Sequence, residues 1–570
     1  MTYSILLSSK QLQNFMEIVA AVCILVGFAA PRFGTQFYSR IAHRFSWLVR
    51  KPRSAILLSA AFPMVARLAL MPVLGLPHPV IHDEFSYLLL GDTFAHLRMA
   101  NPTPPEWRHF ETEYVLLTPT YASQYQPAHG LFLAAGQMLT GEPWWGVWLE
   151  MGILFAAVSW SLRQALPPRW ALLGACLLAM QIGIYGFWMN TYFGGGAAAI
   201  GSALVFGSLL RMCQRPASSG ATCAAGLLLL FASRPFEAIL WSFAAIWFTI
   251  RRSEGLRRAA PGFAAIFAAG AGALAFYNAR VTGNALEPPY ELYREQYGTP
   301  QSYWWQPAVV VTRFDFPELR ANYENQLAYW RRRYSPSLLW DSTWRRLRDF
   351  WRFFLGPFVT PALLFAGTLW RDRRVRPWLF VSVLLILDHA TYHAWYPQQS
   401  AASTVLIALM LIQCWRRLRI WQRRRGFGVA ITRNLIAGFA FSIIAVSIGR
   451  AMENRLPMRF HPVWASLFPT PSRREEAVSY LRSIPGKHLV FVEYSADHPY
   501  TDEWVFNGAD IASERVTFAR LCGTRSDRAL IRALPDHDVW LARPDAHSLV
   551  RINPEIVAAS PFDATPADIR

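Results

Sequence analysis

Lysine is nearly absent from this sequence: Lys10, Lys51 and Lys487 stand against 53 arginines. Charge of either sign is scarce, at 16% of residues where a soluble globular chain carries about 25%. The six cysteines show no CxxC and no paired spacing, and five lie in or beside apolar segments, so neither a disulfide framework nor a thiolate metal site is indicated. The C-terminal tail has no glycine-rich phosphate loop, so no nucleotide is assigned to it, and no repeat of 20–50 residues is visible. The first apolar run lacks a basic lead and a small-residue cleavage site, so no cleavable signal peptide is expected. What is present is apolar material: 53% hydrophobic and 15% aromatic residues. The formal net charge is +19. In a soluble protein that charge would point to nucleic acid. Here the arginines clump between apolar stretches, so a membrane is the better reading, and no nucleic-acid partner is expected.

Apolar runs fall at about 14–30, 54–76, 143–162, 170–189, 193–210, 220–232, 236–250, 260–278, 352–370, 377–391, 400–415 and 432–449. Several are shorter than the ~20 residues that a spanning helix needs. Arg234-Pro235 interrupts the pair 220–232 and 236–250, which reads either as two short helices or as a re-entrant hairpin. Whether 128–140 and 220–250 cross fully stays open. Arginine-dense segments at 31–53, 251–258, 371–376 and 416–425 alternate with basic-poor ones, while 77–142 carries Asp83, Glu84, Asp92, Glu106, Glu111, Glu113 and Glu142. The positive-inside rule then puts the arginine loops in the cytoplasm and both termini outside.

The expectation is an all-α polytopic membrane protein of about 12 spans with a small C-terminal extracytoplasmic α/β domain. Residues 1–53 form an N-terminal membrane helix and basic cytoplasmic loop. Residues 54–450 form the transmembrane domain, with large outer loops 77–142 and 279–350. Residues 451–570 form the outer domain: a helix capped by Ser472, strands at His488–Tyr494, Arg515–Arg520 and Asp538–Arg543, and a helix over 527–534. Glu84–Met99 reads as an amphipathic helix at the membrane surface.

Candidate chemistry concentrates after the second span, at His82-Asp83-Glu84-Phe85-Ser86-Tyr87. A carboxylate there can serve as general base toward a hydroxyl within hydrogen-bond reach. Neighbours on a helix point about 100° apart, so only one of Asp83 and Glu84 faces a given site. The plainer alternative is that both acids simply favour a helix start.

Further along come Asn101-Pro102-Thr103, His109-Phe110-Glu111, Pro119-Thr120-Tyr121-Ala122-Ser123 and a Pro/Gly-containing start to the next helix. With the His82–Tyr87 motif, this order resembles GT-C glycosyltransferases, in the branch of protein O-mannosyltransferases and lipid A aminoarabinose transferases. The resemblance runs on through Asn190-Thr191-Tyr192-Phe193-Gly194-Gly195 and Ser233-Arg234-Pro235-Phe236-Glu237, and into Glu503-Trp504-Val505-Phe506-Asn507 of the tail. It implies a GT-C-like helical bundle in a bacterial inner membrane. It also implies inverting transfer of a sugar from a polyprenyl-phosphate donor to an acceptor hydroxyl of a lipid, glycan or protein on the outer face. Asp83 matches the general base, and its neighbour Glu84 is the second catalytic candidate. His82, Tyr87, Glu111, Tyr121, Gln124, Tyr125, His129, Asn190, Arg234, Glu237 and His393 are the candidate donor-binding residues. Arginine's planar fork suits Arg234 to a phosphate. Two positions depart from the family: Gln124 and Gln126-Pro127 replace a lysine ahead of a proline pair, and Asn190 stands where many members carry an acid.

No cofactor is required by this reading. A divalent metal stays open, but Asp497-His498 and Asp502-Glu503 lack ligand spacing on a defined element. The glycines 194–196 and Gly201 open a membrane helix and read as close packing. Two competing readings remain: a transporter or flippase of lipid-linked saccharides, and a catalytically silent membrane scaffold. Ionisable residues at outer helix ends, with no internal repeat, favour surface chemistry over passage.

Overall fold

The computed structural model describes residues 2–250, 253–298, 303, 306–311, 314–392, 396–451 and 473–553. It divides into two compact units, each assembled from three stretches of chain. The first takes Met1–Pro77, Val147–Gly272 and Pro336–Phe468; the second takes His78–Gly146, Ala273–Ser335 and Pro469–Arg570.

Among the described residues, apolar composition and length make five helices able to cross a bilayer: Trp144–Ala165, Arg257–Thr282, Pro336–Arg371, Pro397–Ile420 and Phe427–Gly449. Four shorter apolar helices accompany them, at Gln13–Ala29, Gly196–Arg211, Pro216–Phe231 and Pro235–Ile250. The chain is a multi-pass membrane protein.

Within the first unit, Arg234-Pro235 separates two helices of 16 residues each, Pro216–Phe231 and Pro235–Ile250. Gly201 and Gly226 let the helices Gly196–Arg211 and Pro216–Phe231 meet backbone to backbone, since a Cβ on Gly201 would lie 2.7 Å from the Gly226 carbonyl. That is the small-residue contact the glycine spacing suggested.

Two expected helices differ from the sequence reading. The run 170–189 is helical from Pro168 only to Gly183, passing from α to a π turn at Ala179–Gly183 and then into tight turns. Asn190 sets these turns, because its amide donates to the carbonyls of Ile184 (3.1 Å) and Gly186 (2.9 Å). The run 352–370 starts with a π turn at Trp351–Leu355, a short α turn at Gly356–Val359 and a 3-10 stretch at Thr360–Arg371. Its helical path begins earlier than expected, at Pro336. Gly356 at φ 65° and prolines at 357 and 361 break the regular ladder. The basic loop 31–53 also holds a helix, Thr35–Arg50, that its charge density obscured.

The second unit is built on a four-stranded sheet. Val516–Arg520, Lys487–Val492 and His537–Arg543 run parallel in that order, and Ser548–Arg551 adds an antiparallel edge absent from the sequence reading. Strand alternation splits the residues between two faces. Val490, Val492, Phe518 and Trp540 pack with Val478 and Leu481 of the helix Arg473–Ser483. Leu489, Phe491, Val539 and Leu541 pack with Leu530 and Leu534 and, from the first loop, with Phe85, Leu89, Phe110 and Val115. The Ser472 cap lies outside the described residues.

That second face corrects the expected surface helix. The segment is helical over His82–Ala95, and Glu84, Phe85, Ser86, Leu89, Leu90, Gly91 and Thr93 are all buried. Its apolar residues surround the axis instead of forming one stripe, so it is a core element rather than an interfacial one. It packs on the helix Pro127–Thr140 through Gly91 and Gly130, whose Cβ atoms would fall 2.6 Å from Leu133 and 2.4 Å from Leu90.

Candidate active site

The helix His82–Ala95 is oriented by Phe85 and Leu89, one turn apart, which fasten it to the sheet; Phe85 stacks on Phe506 at 4.4 Å. Asp83 precedes Phe85 by two residues, about 200° around the axis, and therefore points away from that core. Its Oδ1 accepts a hydrogen bond from the Tyr125 hydroxyl. Tyr125 stacks on Tyr87 (4.1 Å between ring centroids), and Tyr87 meets the edge of His129 (5.0 Å). Four of the sequence candidates thus come together on facing helix starts: a half-buried carboxylate, a phenol that orients it, and an aromatic shelf. Burial and the Asp83 charge hold the Tyr125 phenol well above its ordinary pKa, so it stays a donor.

Glu84 has a different occupation. Its side chain is buried, and its Oε2 accepts from the backbone amide of Val80 at 2.9 Å, closing the start of the helix. The two adjacent acids face different partners, as helix geometry requires.

His82 joins a buried charged chain. Its Nδ1 lies 2.5 Å from Glu113 Oε2, and its Nε2–H donates to the Tyr500 carbonyl at 2.8 Å. Burial alone would lower the His82 pKa, but the charge and hydrogen bond of Glu113, with Glu503 and Asp83, outweigh it and raise it to about 9. Burial raises Glu113 to about 6, against the pull of His82. Beyond Glu113 lies Arg520, which donates through Nη2 to Glu503, through Nη1 to Glu318 (2.9 Å) and through Nε to the Glu111 carbonyl (2.6 Å). Glu503 also accepts from the Tyr494 hydroxyl and from the amides of Trp504 and Val505. Despite burial, Arg520 keeps its carboxyl below the usual range.

The His82 pair fixes an alkaline limit. A group whose folded pKa exceeds its unfolded value stabilises fully below the unfolded value and loses that contribution as pH rises through the folded one. At about 1.4 kcal/mol per pH unit between 6.5 and about 9, His82 contributes roughly 3 kcal/mol that disappears over that window. The raised Glu113 has the same sign between pH 4.5 and about 6. Melting temperature measured from pH 6.5 to 9 is expected to fall, and His82→Gln to flatten that slope.

The remaining candidates are dispersed. Glu111 accepts from Tyr297 (3.1 Å), and burial raises its pKa. Tyr121 donates to the Asn507 carbonyl at 3.0 Å. Gln124 is buried, and its Oε1 has no hydrogen-bond partner among the described residues. In the first unit, Asn190 Oδ1 accepts from buried Arg67 at 2.8 Å. Arg234 and Glu237 lie at the start of the helix Pro235–Ile250, and His393 falls outside the described residues. Sequence reasoning missed the Glu113 partnership and the Arg520–Glu503–Glu318 cluster. Glu113 is one of the acids of the first loop, but no local spacing links Arg520 to either partner.

No family model matches the chain, and no curated protein matches it. Among solved structures, it is similar to the Archaeoglobus fulgidus oligosaccharyltransferase tethered with an acceptor peptide, at 10% identity and TM-score 0.45, covering 86% of this chain and 68% of that one. It is similar to ArnT from Cupriavidus metallidurans in the apo state, at 14% identity and TM-score 0.47, covering 86% and 93%. A third structure, archaeal oligosaccharyltransferase AglB with an inhibitory peptide and a dolichol-phosphate, gives 10% identity and TM-score 0.46, covering 86% and 69%.

Proposed function

We propose that the protein transfers a sugar from a polyprenyl-phosphate carrier to an acceptor hydroxyl at the outer face of a bacterial inner membrane, with inversion and with Asp83 as general base. The observation that carries the reading is the Asp83 carboxylate itself, half-buried, turned from the sheet core and held by Tyr125 beside the Tyr87 and His129 rings. A base must be oriented and yet reachable, and a hydrogen-bonded carboxylate at the rim of a packed unit meets both conditions. Aromatic faces suit the apolar faces of a sugar ring. Arg234 is the residue proposed to meet the donor phosphate. The arginine-rich segments mark the cytoplasmic side, which puts the first loop and both termini outside.

The test is transfer from a radiolabelled polyprenyl-phosphate sugar in proteoliposomes holding the full chain, wild type against Asp83→Asn. Undiminished transfer by the variant would remove Asp83 from the role. Movement of the lipid-linked sugar across the bilayer with no transfer would replace the reading with transport.

A further inference from the structure

The helices Pro235–Ile250 and Arg376–Thr391 pack as an antiparallel pair. Phe248, near the end of the first, stacks on Trp378, near the start of the second, at 4.3 Å between ring centroids. At the opposite end of the pair, Glu237 in the first turn of one helix meets Asp388 and His389 in the last turn of the other. One ligand atom from each of the three lies within 4.8 Å of the others. Glu237 is 5% exposed, and the side chains of His389 and Asp388 are 10% and 9% exposed. We infer that Glu237, Asp388 and His389 form a binding site for one divalent transition-metal ion of the zinc class.

Three features carry this. The first is spacing. His389 Nδ1 and Asp388 Oδ2 stand 3.5 Å apart, too far for a good hydrogen bond. Bonds of about 2.0–2.2 Å to a tetrahedral zinc put ligand atoms roughly 3.4 Å apart, so these two atoms already form one edge of a coordination shell. The second is the orientation of the imidazole. His389 Nε2 lies 3.3 Å from Ser403 Oγ, a buried hydroxyl that ends the 3-10 turn Pro397–Ser403. Metal-bound histidines regularly engage their outer nitrogen in this way, and the bond leaves Nδ1 facing the carboxylates.

The third is electrostatic. An acid suits a helix N-terminus, where Glu237 sits, but a helix C-terminus carries partial negative charge and disfavours the carboxylate of Asp388. Arg234 is close enough to act electrostatically on both Glu237 and His389. A dication bound here would counter the carboxylates and the helix end, and a mixed imidazole–carboxylate donor set suits zinc, manganese or iron better than calcium or magnesium. The cluster lies at the helix ends opposite the arginine-dense segments 251–258 and 371–376. This inference does not depend on the proposed sugar transfer.

The test uses the full chain purified in detergent without a histidine tag, stripped with EDTA, and titrated separately with Zn²⁺ and Co²⁺. About one equivalent of metal per chain is expected, with ligand-field absorption of the Co²⁺ form showing nitrogen and oxygen donors. Metal is expected to raise the melting temperature of the wild type, a readout that needs no variant. His389→Gln and Glu237→Gln are each expected to weaken binding by at least about 10-fold. Failure of the stripped wild type to take up metal would overturn the site. Uptake that both folded variants retain unchanged would place the metal elsewhere and overturn it equally.

Discussion

Replacing Asp83 with asparagine is expected to lower sugar transfer by about 10²–10⁴-fold while leaving the protein folded. The substitution keeps the shape of the side chain, and the amide oxygen still accepts from the Tyr125 hydroxyl, so the packing of Tyr125 on Tyr87 is retained. On the proposed mechanism, what is lost is the ability to take a proton from the acceptor as the new bond forms. The fall should therefore appear in kcat with little change in KM for the donor. Glu84→Gln is the control, because Oε2 serves the Val80 amide and a glutamine oxygen accepts that bond equally well. Transfer within a few-fold of wild type is expected there, together with a normal melting temperature. Equal losses in both variants would contradict the division of labour between the two acids.

The largest expected loss of stability belongs to Arg520→Met, at about 3–5 kcal/mol for the second unit. Arg520 is buried among Glu503, Glu318 and the Glu111 carbonyl, with its guanidinium 4.8 Å from the Phe316 ring. Methionine fills much of the volume but leaves Glu503 and Glu318 facing apolar surroundings without their counter-charge. Glu503→Gln should cost less than Arg520→Met, since the amide oxygen can still accept from Tyr494 and the backbone. Thermal melting of the purified chain gives the magnitude, and proteolysis should show new cleavage within 78–146 and 469–553. If the double variant Arg520→Met, Glu503→Gln is more stable than Arg520→Met alone, the stranded carboxylate is the cause.

Much of this architecture is legible in the sequence because hydrophobicity is local. Trp144–Ala165, Gly196–Arg211 and Arg376–Thr391 coincide closely with their apolar runs. The parallel strands of the tail stand out as β-branched and aromatic runs between polar turns. The reading fails where hydrogen bonding rather than hydrophobicity decides, as at the π turns Ala179–Gly183 and Trp351–Leu355. It also fails where burial comes from a distant segment. Nothing within His82–Ala95 announces that Phe85 and Leu89 lie against strands some 400 residues later.

The site followed the same division. Asp83, Tyr87, Tyr125 and His129 lie apart in the sequence, and the fold supplies their contacts. Asn190, a candidate for substrate or donor binding, is engaged by Arg67 and by the carbonyls of its own turn. Asp388 had a local signal, an acid closing the run Leu385-Ile386-Leu387, but its meeting with Glu237 depends on how two helices pair.

The three-part composition of the second unit imposes an order on its making. The helix bearing Asp83 emerges from the ribosome some 400 residues before the sheet that holds Phe85 and the arginine that anchors the Glu111 backbone. Nascent first-loop chain must therefore wait through the synthesis and insertion of nearly the whole membrane portion before it can settle. A chain interrupted anywhere before residue 520 would present Asp83 on an unsupported segment, so the Asp83 carboxylate is positioned only in molecules whose synthesis has passed through the sheet.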